Sequence, residues 1–365
     1  MRGRSFGFAP TDFVISRKIC NLALKILIPM SKHVTIKDIA KALGISKSTV
    51  SRALADAWDV KRETRDKVFA MAKELNYHPN LNAKNLQNKR SGIIGVVIPE
   101  FVSSFFPNVV MGIQEVLYEE NFHLFITQSN ENRQQELDNL RLLQEYMVEG
   151  IIMSITNEGG NEEEYQRVMS LGTPMVFFNR CPKTFKVPKV LIDDRAMACK
   201  AVEHLIAEGR KRIWHFAGPV NMDNTEARAA GYVDALAAHG LGEGRVVSAG
   251  IFIDDGKRAM EALLDEGGEL PDAIFGFNDP VAIGAMKVLQ KRGVRIPEDI
   301  AIVGFSEGSM AKVVEPQLTT VLQPTKEMGR EAARLLLKQI KSEHKVEPKT
   351  VCLDAILNIR DSSRQ

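Results

Sequence analysis

The sequence predicts a small all-α head of helix-turn-helix type followed by an α/β core of two Rossmann-like, doubly wound subdomains. Residues 34–54, VTIKDIAKALGISKSTVSRAL, read as two short amphipathic helices around a glycine. From residue 93 onward, apolar runs of five to seven residues alternate with amphipathic helical stretches, in two successive series. Charge divides the same way: residues 31–90 hold 13 Lys+Arg against 6 Asp+Glu, while residues 91–365 carry a net −9. The overall +2 therefore conceals a basic head on an acidic body, as expected if only the head meets phosphate.

Taken in order, residues 1–29 come first. Arg17 and Lys18 precede the apolar run Ile19 to Ile28, but Asn21 and Lys25 interrupt it and no small-residue cleavage site follows. The run is too short and too polar to span a membrane.

In the head, Ile36, Ile39, Ala40 and Leu43 fall on one helical face. Gly44 stops that helix, because glycine takes positive φ without a Cβ clash. Ser46 is an N-cap for a second helix whose inward residues are Val50, Ala53 and Leu54. Its outer face offers Lys47, Ser48, Thr49, Ser51 and Arg52, donors with almost no acid among them. A second helix so placed lies in the major groove. Lys47, Ser48 and Arg52 are then expected at base edges, Arg52 or Lys47 on guanine acceptors, with Ser46, Thr49 and Ser51 as phosphate and register contacts and Thr35 completing the DNA-facing set. Thr64 to Leu75, with Val68, Met71, Ala72 and Leu75 at helical spacing, predicts a third helix. Lys61 and Arg62 stand where a cap is favoured, against the helix dipole but in reach of a phosphate. After the stop at Asn76 to Asn80, Leu81 to Asn88 allow barely two helical turns, a segment expected to fold only against a partner.

In the body, strands are expected at 93–99, 123–129, 150–156 and 174–180, then at 189–194, 213–218, 246–252, 273–278 and 300–306. Runs apolar on both faces and separated by helices imply parallel sheets covered on both sides. The carboxyl ends of such strands form the ligand crevice. Here they bring Pro99 to Phe106, Gln128 to Asn130, Asn179, Arg180, the 219–228 loop, Phe252, Asn278, Asp279, Ser306 and Glu307. Aromatic surfaces mixed with amides, carboxylates and an arginine suit a small polyhydroxylated or heterocyclic ligand. Trp214 reads as a core strand residue.

VTIKDIAKALGISKSTVSRAL, LNYHPNLNAKNL and SGIIGVVIP together resemble the lactose-repressor (LacI/GalR) family of bacterial transcription regulators, over about Val34 to Asp361. The resemblance implies a periplasmic-binding-protein-like core around a cleft, with a homodimer on a palindromic operator and a small effector, a sugar or sugar derivative, controlling repression of catabolic genes. It implies a hinge helix over 79–91 that enters the minor groove, with Leu86 as an apolar wedge and Asn80, Ala83 and Lys84 beside it. For the effector it implies Arg228 in EARAAGY, Asn179 where an aspartate is common, Asn278 in FND, and the pair Phe105 and Phe106; Phe252 and Ser306 complete the set. GFSEG at 304–308 departs from the family's GFDD, which puts a simple hexose mode in doubt.

The domains expected are therefore an extension at 1–29, with Met30 as initiator, a DNA-binding head at 30–78, the hinge at 79–91, a core at 92–361 and a tail at 362–365. The core halves are expected at 92–180 plus 319–341 and at 189–306 plus 350–361. Crossovers are expected near 181–189 and 307–318, with LTTVLQP returning the chain to the first half. Another reading within the family stays open, a global regulator answering to a phosphorylated protein partner. A solute-binding module without a DNA role would need an export signal and no basic head. No phosphate loop, GxSxG elbow or HExxH appears, so no enzyme is expected. No cofactor or metal is expected either, since Cys20, Cys181, Cys199 and Cys352 show no CxxC or Cys/His spacing; they read as thiols of a reducing cytoplasm.

Overall fold

The computed structural model describes residues 34–77, 91–220, 222–342, 344 and 346–364. The expected extension, the hinge helix and its residues Asn80, Ala83, Lys84 and Leu86 lie outside the described residues. The chain divides into two units, residues 1–87 and 88–365.

The head holds α1 (Ile36–Leu43), α2 (Lys47–Leu54) and α3 (Arg62–Glu74). Asp38 opens α1 by accepting from the Thr35 backbone N–H at 2.8 Å and hydroxyl at 2.7 Å. Gly44, at φ 65°, ends it. The chain doubles back there, with Ile45 N–H donating to the Ala40 carbonyl at 3.1 Å. Ser46 caps α2 through the Thr49 N–H at 3.1 Å. Ile39, Val50, Ala53 and Val68 are fully buried and join the three helices into one small core. α3 begins two residues before the expected Thr64, with Lys61 at its N-cap and no side-chain cap.

The body contains β1 (Ile93–Ile98), α4 (Phe105–Glu119), β2 (His123–Gln128), α5 (Arg133–Glu145), β3 (Gly150–Met153), α6 (Glu162–Ser170), β4 (Met175–Phe178) and β5 (Lys189–Ile192). There follow α7 (Asp194–Ala207), β6 (Ile213–Ala217), α8 (Asp223–Ala238), β7 (Arg245–Ser248), α9 (Ile253–Glu266), β8 (Ala273–Gly276), α10 (Asp279–Lys291) and β9 (Ala301–Ser306). It closes with β10 (Thr319–Leu322), α11 (Thr325–Lys341), β11 (Thr350–Leu353) and β12 (Ile356–Asn358).

Two six-stranded sheets result, ordered β11-β5-β4-β3-β1-β2 and β12-β10-β9-β8-β6-β7. Every pairing is parallel except β10 with β12. Alternate residues of one strand serve opposite cores: Val96 packs towards α4 and α11, Val97 towards α5 and α6. That is why the strands read as unbroken apolar runs.

The division of the halves differs from expectation at three places. β5 pairs with β4, Phe177 opposite Lys189, and belongs to the first sheet. β10 pairs with β9 in the second sheet and does not return the chain to the first. β11 lies beside β5 in the first sheet, leaving only β12 of the 350–361 segment in the second. The chain therefore crosses between halves just after β5, β10 and β11, not near 181–189 or 307–318. The physical reason is the link between β4 and β5. It contains no helix, yet Cys181, Phe185 and Val187 anchor it in the first half's core, so it returns to its own sheet. α11 packs on the first half as expected, against α4.

Candidate functional site

Between the halves of the body lies a cavity of about 560 Å³, within the range of roughly 300–1,000 Å³ usual for small-molecule sites. Phe105, Phe106, Asn179, Arg228, Phe252, Asn278 and Ser306 all line it. Each stands where topology puts a ligand-facing residue in a doubly wound sheet, at or just past a strand's carboxyl end or on the following helix. Gln128 to Asn130, by contrast, stay outside the wall, and Glu307 turns away from it. Burial opposes the Glu307 charge, but hydrogen bonds from Lys312 and Asn358 and the charge of Arg360 hold its carboxyl below the usual range.

Arg228 is the most constrained residue of the wall. It is 2% exposed. Its Nε donates to Asp194 Oδ1 at 2.8 Å and its Nη1 to the Phe277 carbonyl at 2.6 Å, while its Cζ lies 3.7 Å from the Phe305 ring centre. Burial pushes the Asp194 carboxyl up and the Arg228 guanidinium down, and each partner's charge opposes the shift in the other. Asn179 sits at φ 59° immediately after β4. Asn278 serves a further purpose as the cap of the following helix. Its Oδ1 caps α10 through Val281 N–H at 2.9 Å, and its Nδ2 donates to the Ile251 carbonyl at 2.9 Å. Asp279 instead reaches back to accept from Gly308 N–H at 2.6 Å and the Thr320 hydroxyl at 2.5 Å. Burial raises its carboxyl to about 6.

Sequence reasoning reached Glu100 and Asn224 only within the ranges 99–106 and 219–228, and missed Gln323 altogether as a wall residue. Gln323 directly follows β10, a signal hidden by assigning that strand to the other half. Asn224 Oδ1 and Gln323 Oε1 are buried without a hydrogen-bond partner. Unpaired buried acceptors on a cavity wall are what a polar ligand would satisfy.

On the head, Thr35, Ser46, Lys47, Ser48 and Arg52 are exposed, and Thr49 and Ser51 are half-buried. The Ser46 hydroxyl bonds those of Ser48 at 2.7 Å and Thr49 at 2.8 Å, so part of this set also holds the first turn of α2 together. Arg52 Nη1 pairs with Asp59 at 2.7 Å, a partner not foreseen. Trp58 stands beside it, 93% exposed.

Among known families, the model of periplasmic binding proteins and the sugar binding domain of the LacI family matches residues 91–354, and that of bacterial regulatory proteins of the lacI family matches residues 35–80. The chain belongs to the LacI family. The ribose operon repressor of Halalkalibacterium halodurans is 34% identical over 309 residues, 85% of this chain and 91% of that protein. The transcriptional regulator CelR in complex with cellobiose is 30% identical, with TM-score 0.68 over 90% of this chain and 99% of that one. The lac repressor dimer bound to operator and the anti-inducer ONPF is 25% identical, with TM-score 0.79 over 92% of this chain and all of that one. As a LacI-family member, this protein is a DNA-binding transcriptional regulator with a helix-turn-helix head and a two-part α/β core. Among the described residues no helix is long and apolar enough to cross a membrane, and no group of His, Cys, Asp and Glu is arranged to hold a metal ion.

Proposed function

We propose that this protein is a homodimeric, cytoplasmic repressor whose two heads grip a palindromic operator and whose cleft takes a sugar or sugar derivative as effector. The observation that carries the reading is the cavity itself, walled by both halves of the core. Phe105, Phe106 and Asn179 come from the first half, and Arg228, Phe252, Asn278 and Ser306 from the second. A ligand held by both walls stabilises one relation of the halves over another, and so biases whatever the halves are joined to. One relative represses a ribose operon and another is bound to cellobiose, and the wall here offers what a sugar requires: rings for its apolar faces, amides and a hydroxyl for its oxygens. Lys47, Ser48 and Arg52 read base edges; Thr35, Ser46, Thr49 and Ser51 set register on phosphate; Asn80, Ala83, Lys84 and Leu86 contact the operator centre.

The test is a thermal-shift screen of the full chain against sugars, sugar phosphates, uronic acids, polyols and nucleobases. At one hundred times its dissociation constant a ligand adds roughly 2.7 kcal/mol. A stabilising sugar whose effect is lost in Asn179→Ala and Phe252→Ala, and which alters affinity for a site selected from random duplex DNA, is the expected result. A ligand that stabilises these variants as well as the parent chain would move the effector out of the cleft. A selected DNA site lacking two-fold symmetry would remove the dimeric grip.

A further inference from the structure

Resting on the reading of the cleft as the effector site, we infer that it takes an uncharged ligand rich in O–H or N–H donors and rejects the phosphorylated or carboxylated form of the same molecule. Among the described residues of the wall the charged side chains are Glu100, Arg180, Arg228, Asp254, Lys257 and Asp279. Each of the cations among them is ion-paired, and the two carboxylates without a cation, Glu100 and Asp279, are hydrogen-bonded within the protein.

Both arginines are neutralised from behind. Arg180 Nη1 lies 2.7 and 2.9 Å from the two Glu131 oxygens, with the side chains 8% and 10% exposed. Arg228 holds Asp194 as described, with side chains 2% and 10% exposed. Neither Glu131 nor Asp194 belongs to the wall. Each therefore cancels a cation without offering the ligand an anion. Lys257 is paired with Asp254 at 2.9 Å within the rim. The carboxylates are equally engaged: Glu100 accepts the Ser103 N–H at 2.8 Å and hydroxyl at 2.5 Å, and Asp279 accepts Gly308 and Thr320. A phosphate or carboxylate entering the cleft would find no unpaired cation: drawing off either arginine would strand Glu131 or Asp194 as a buried, unpaired charge, which leaves only Lys257, held at the rim by the exposed Asp254, as a weakly committed cation.

Among the wall's uncommitted valences, Arg180 Nε is a buried donor without a partner, which a neutral hydroxyl oxygen can accept as well as an anion can; the unpaired amide oxygens ask for donors. Asn224 and Gln323, 5% and 2% exposed, each present a carbonyl oxygen with no donor. Gln323 Nε2 is already donated to Ser306 Oγ at 2.9 Å, which leaves the Ser306 proton free to reach a ligand oxygen. Amide oxygens ask for donors, and a hydroxyl or N–H supplies one where a phosphoryl oxygen cannot. A site built around such groups discriminates strongly, because the wrong ligand leaves them unpaired.

Isothermal titration of the full chain with matched pairs tests this: ribose and ribose 5-phosphate, glucose and glucose 6-phosphate, glucose and glucuronate. The uncharged member of any binding pair is expected to bind at least roughly 100-fold more tightly. A charged member binding as well as its neutral counterpart overturns the inference. Inorganic phosphate gives a second, sugar-independent reading. It is titrated against the parent chain, Arg180→Met, Glu131→Gln and the double variant Glu131→Gln/Arg180→Met, so that binding by the basic head appears equally in all four. A phosphate site present only in Glu131→Gln supports the inference, and one present in the parent chain but lost in Arg180→Met overturns it. If no neutral sugar binds while phosphate is still refused, the sugar reading fails and the uncharged cleft stands.

Discussion

At the residue scale, magnitude separates the pairs that hold the fold from those poised for a partner. Arg52 and Asp59 are 55% and 34% exposed in their side chains, so their pairing is worth no more than about 1 kcal/mol to the fold. Arg52 is thus free to exchange Asp59 for guanine, and Arg52→Ala is expected to weaken operator binding by roughly 1–3 kcal/mol while leaving effector affinity unchanged. Competition between the selected site and its guanine-substituted variants checks this; an intact preference in Arg52→Ala would take Arg52 out of base readout. His215 belongs to the other class. It is fully buried, stacked on Phe275, with Nδ1 2.9 Å from the Phe275 carbonyl, and burial pushes it from 6.5 down to about 4. Because its folded pKa lies below its unfolded one, the stability it contributes is complete above about 6.5 and is lost as pH falls through about 4. Asp279, raised from 3.8 to about 6, runs oppositely: its contribution is present below about 3.8 and is lost as pH rises through about 6. Urea midpoints of the parent chain and His215→Phe between pH ~7 and ~4.5 isolate the histidine, whose share should be on the order of 2–3 kcal/mol. Parallel pH profiles in the two proteins would show that His215 is not protonated on unfolding in that window. Asn278 carries two duties at once: it lines the cavity, while one valence at each end of its amide caps α10 and holds the Ile251 carbonyl.

At the element scale, the helices of the first half depend on close approach. A Cβ at Gly112 of α4 would stand 2.0 Å from the Lys326 carbonyl oxygen, and one at Gly329 of α11 would stand 2.0 Å from that of Val109. Backbone oxygen cannot swing aside as a side-chain tip can. Alanine at Gly112 would gain about 1 kcal/mol of helix propensity but force the helices apart, an overpacking cost of roughly 1–3 kcal/mol or more. Gly112→Ala and Gly329→Ala are each expected to lower the urea midpoint, and the double variant to lose less than their sum, since one displacement of α11 relieves both clashes. Additive losses would mean that the two contacts yield independently. Most of these elements were legible in sequence. Each expected body strand appears within a few residues, because an apolar run covered on both faces needs no tertiary information to be recognised. The head was legible for a similar reason: Gly44 and Ser46 act on their own neighbours. What was not legible was which sheet received β5, β10 and β11. That choice depends on pairing across the long link from β4 and on two short connections, where local pattern is silent. The cleft's aromatic residues and the amides of Asn179 and Asn278 could be found from strand ends, whereas Gln323 and the neutralising Glu131 and Asp194 could not.

At the scale of the whole molecule, the core halves are tied across the cleft as well as along the chain. The Ser104 hydroxyl, just before α4, accepts from Ser309 N–H at 3.2 Å on the second half. Lys183, in the link between β4 and β5, reaches Asp223 at 2.9 Å and Glu226 at 2.8 Å on α8. These straps join residues that no strand pairing connects. They stabilise the relation of the halves described here without belonging to the cavity wall or to the head, apart from Ser104 and Ser309 at the cleft's mouth. Lys183 is 48% exposed, so screening limits its strap to about 1 kcal/mol even with two carboxylates. A shift of that size changes a two-state population by roughly fivefold. Lys183→Met is therefore expected to alter effector affinity and operator affinity by up to about fivefold each, with no change at either site. By linkage, the factor by which effector changes operator affinity must equal that by which operator changes effector affinity, in the parent chain and in the variant alike. Fluorescence anisotropy on labelled operator at several effector concentrations, with calorimetry of the effector in the presence and absence of operator, measures both factors. If Lys183→Met moves neither affinity, the strap does not bear on the relation of the halves that the effector selects. If it moves effector affinity alone, the halves are coupled to the cleft but not to the DNA.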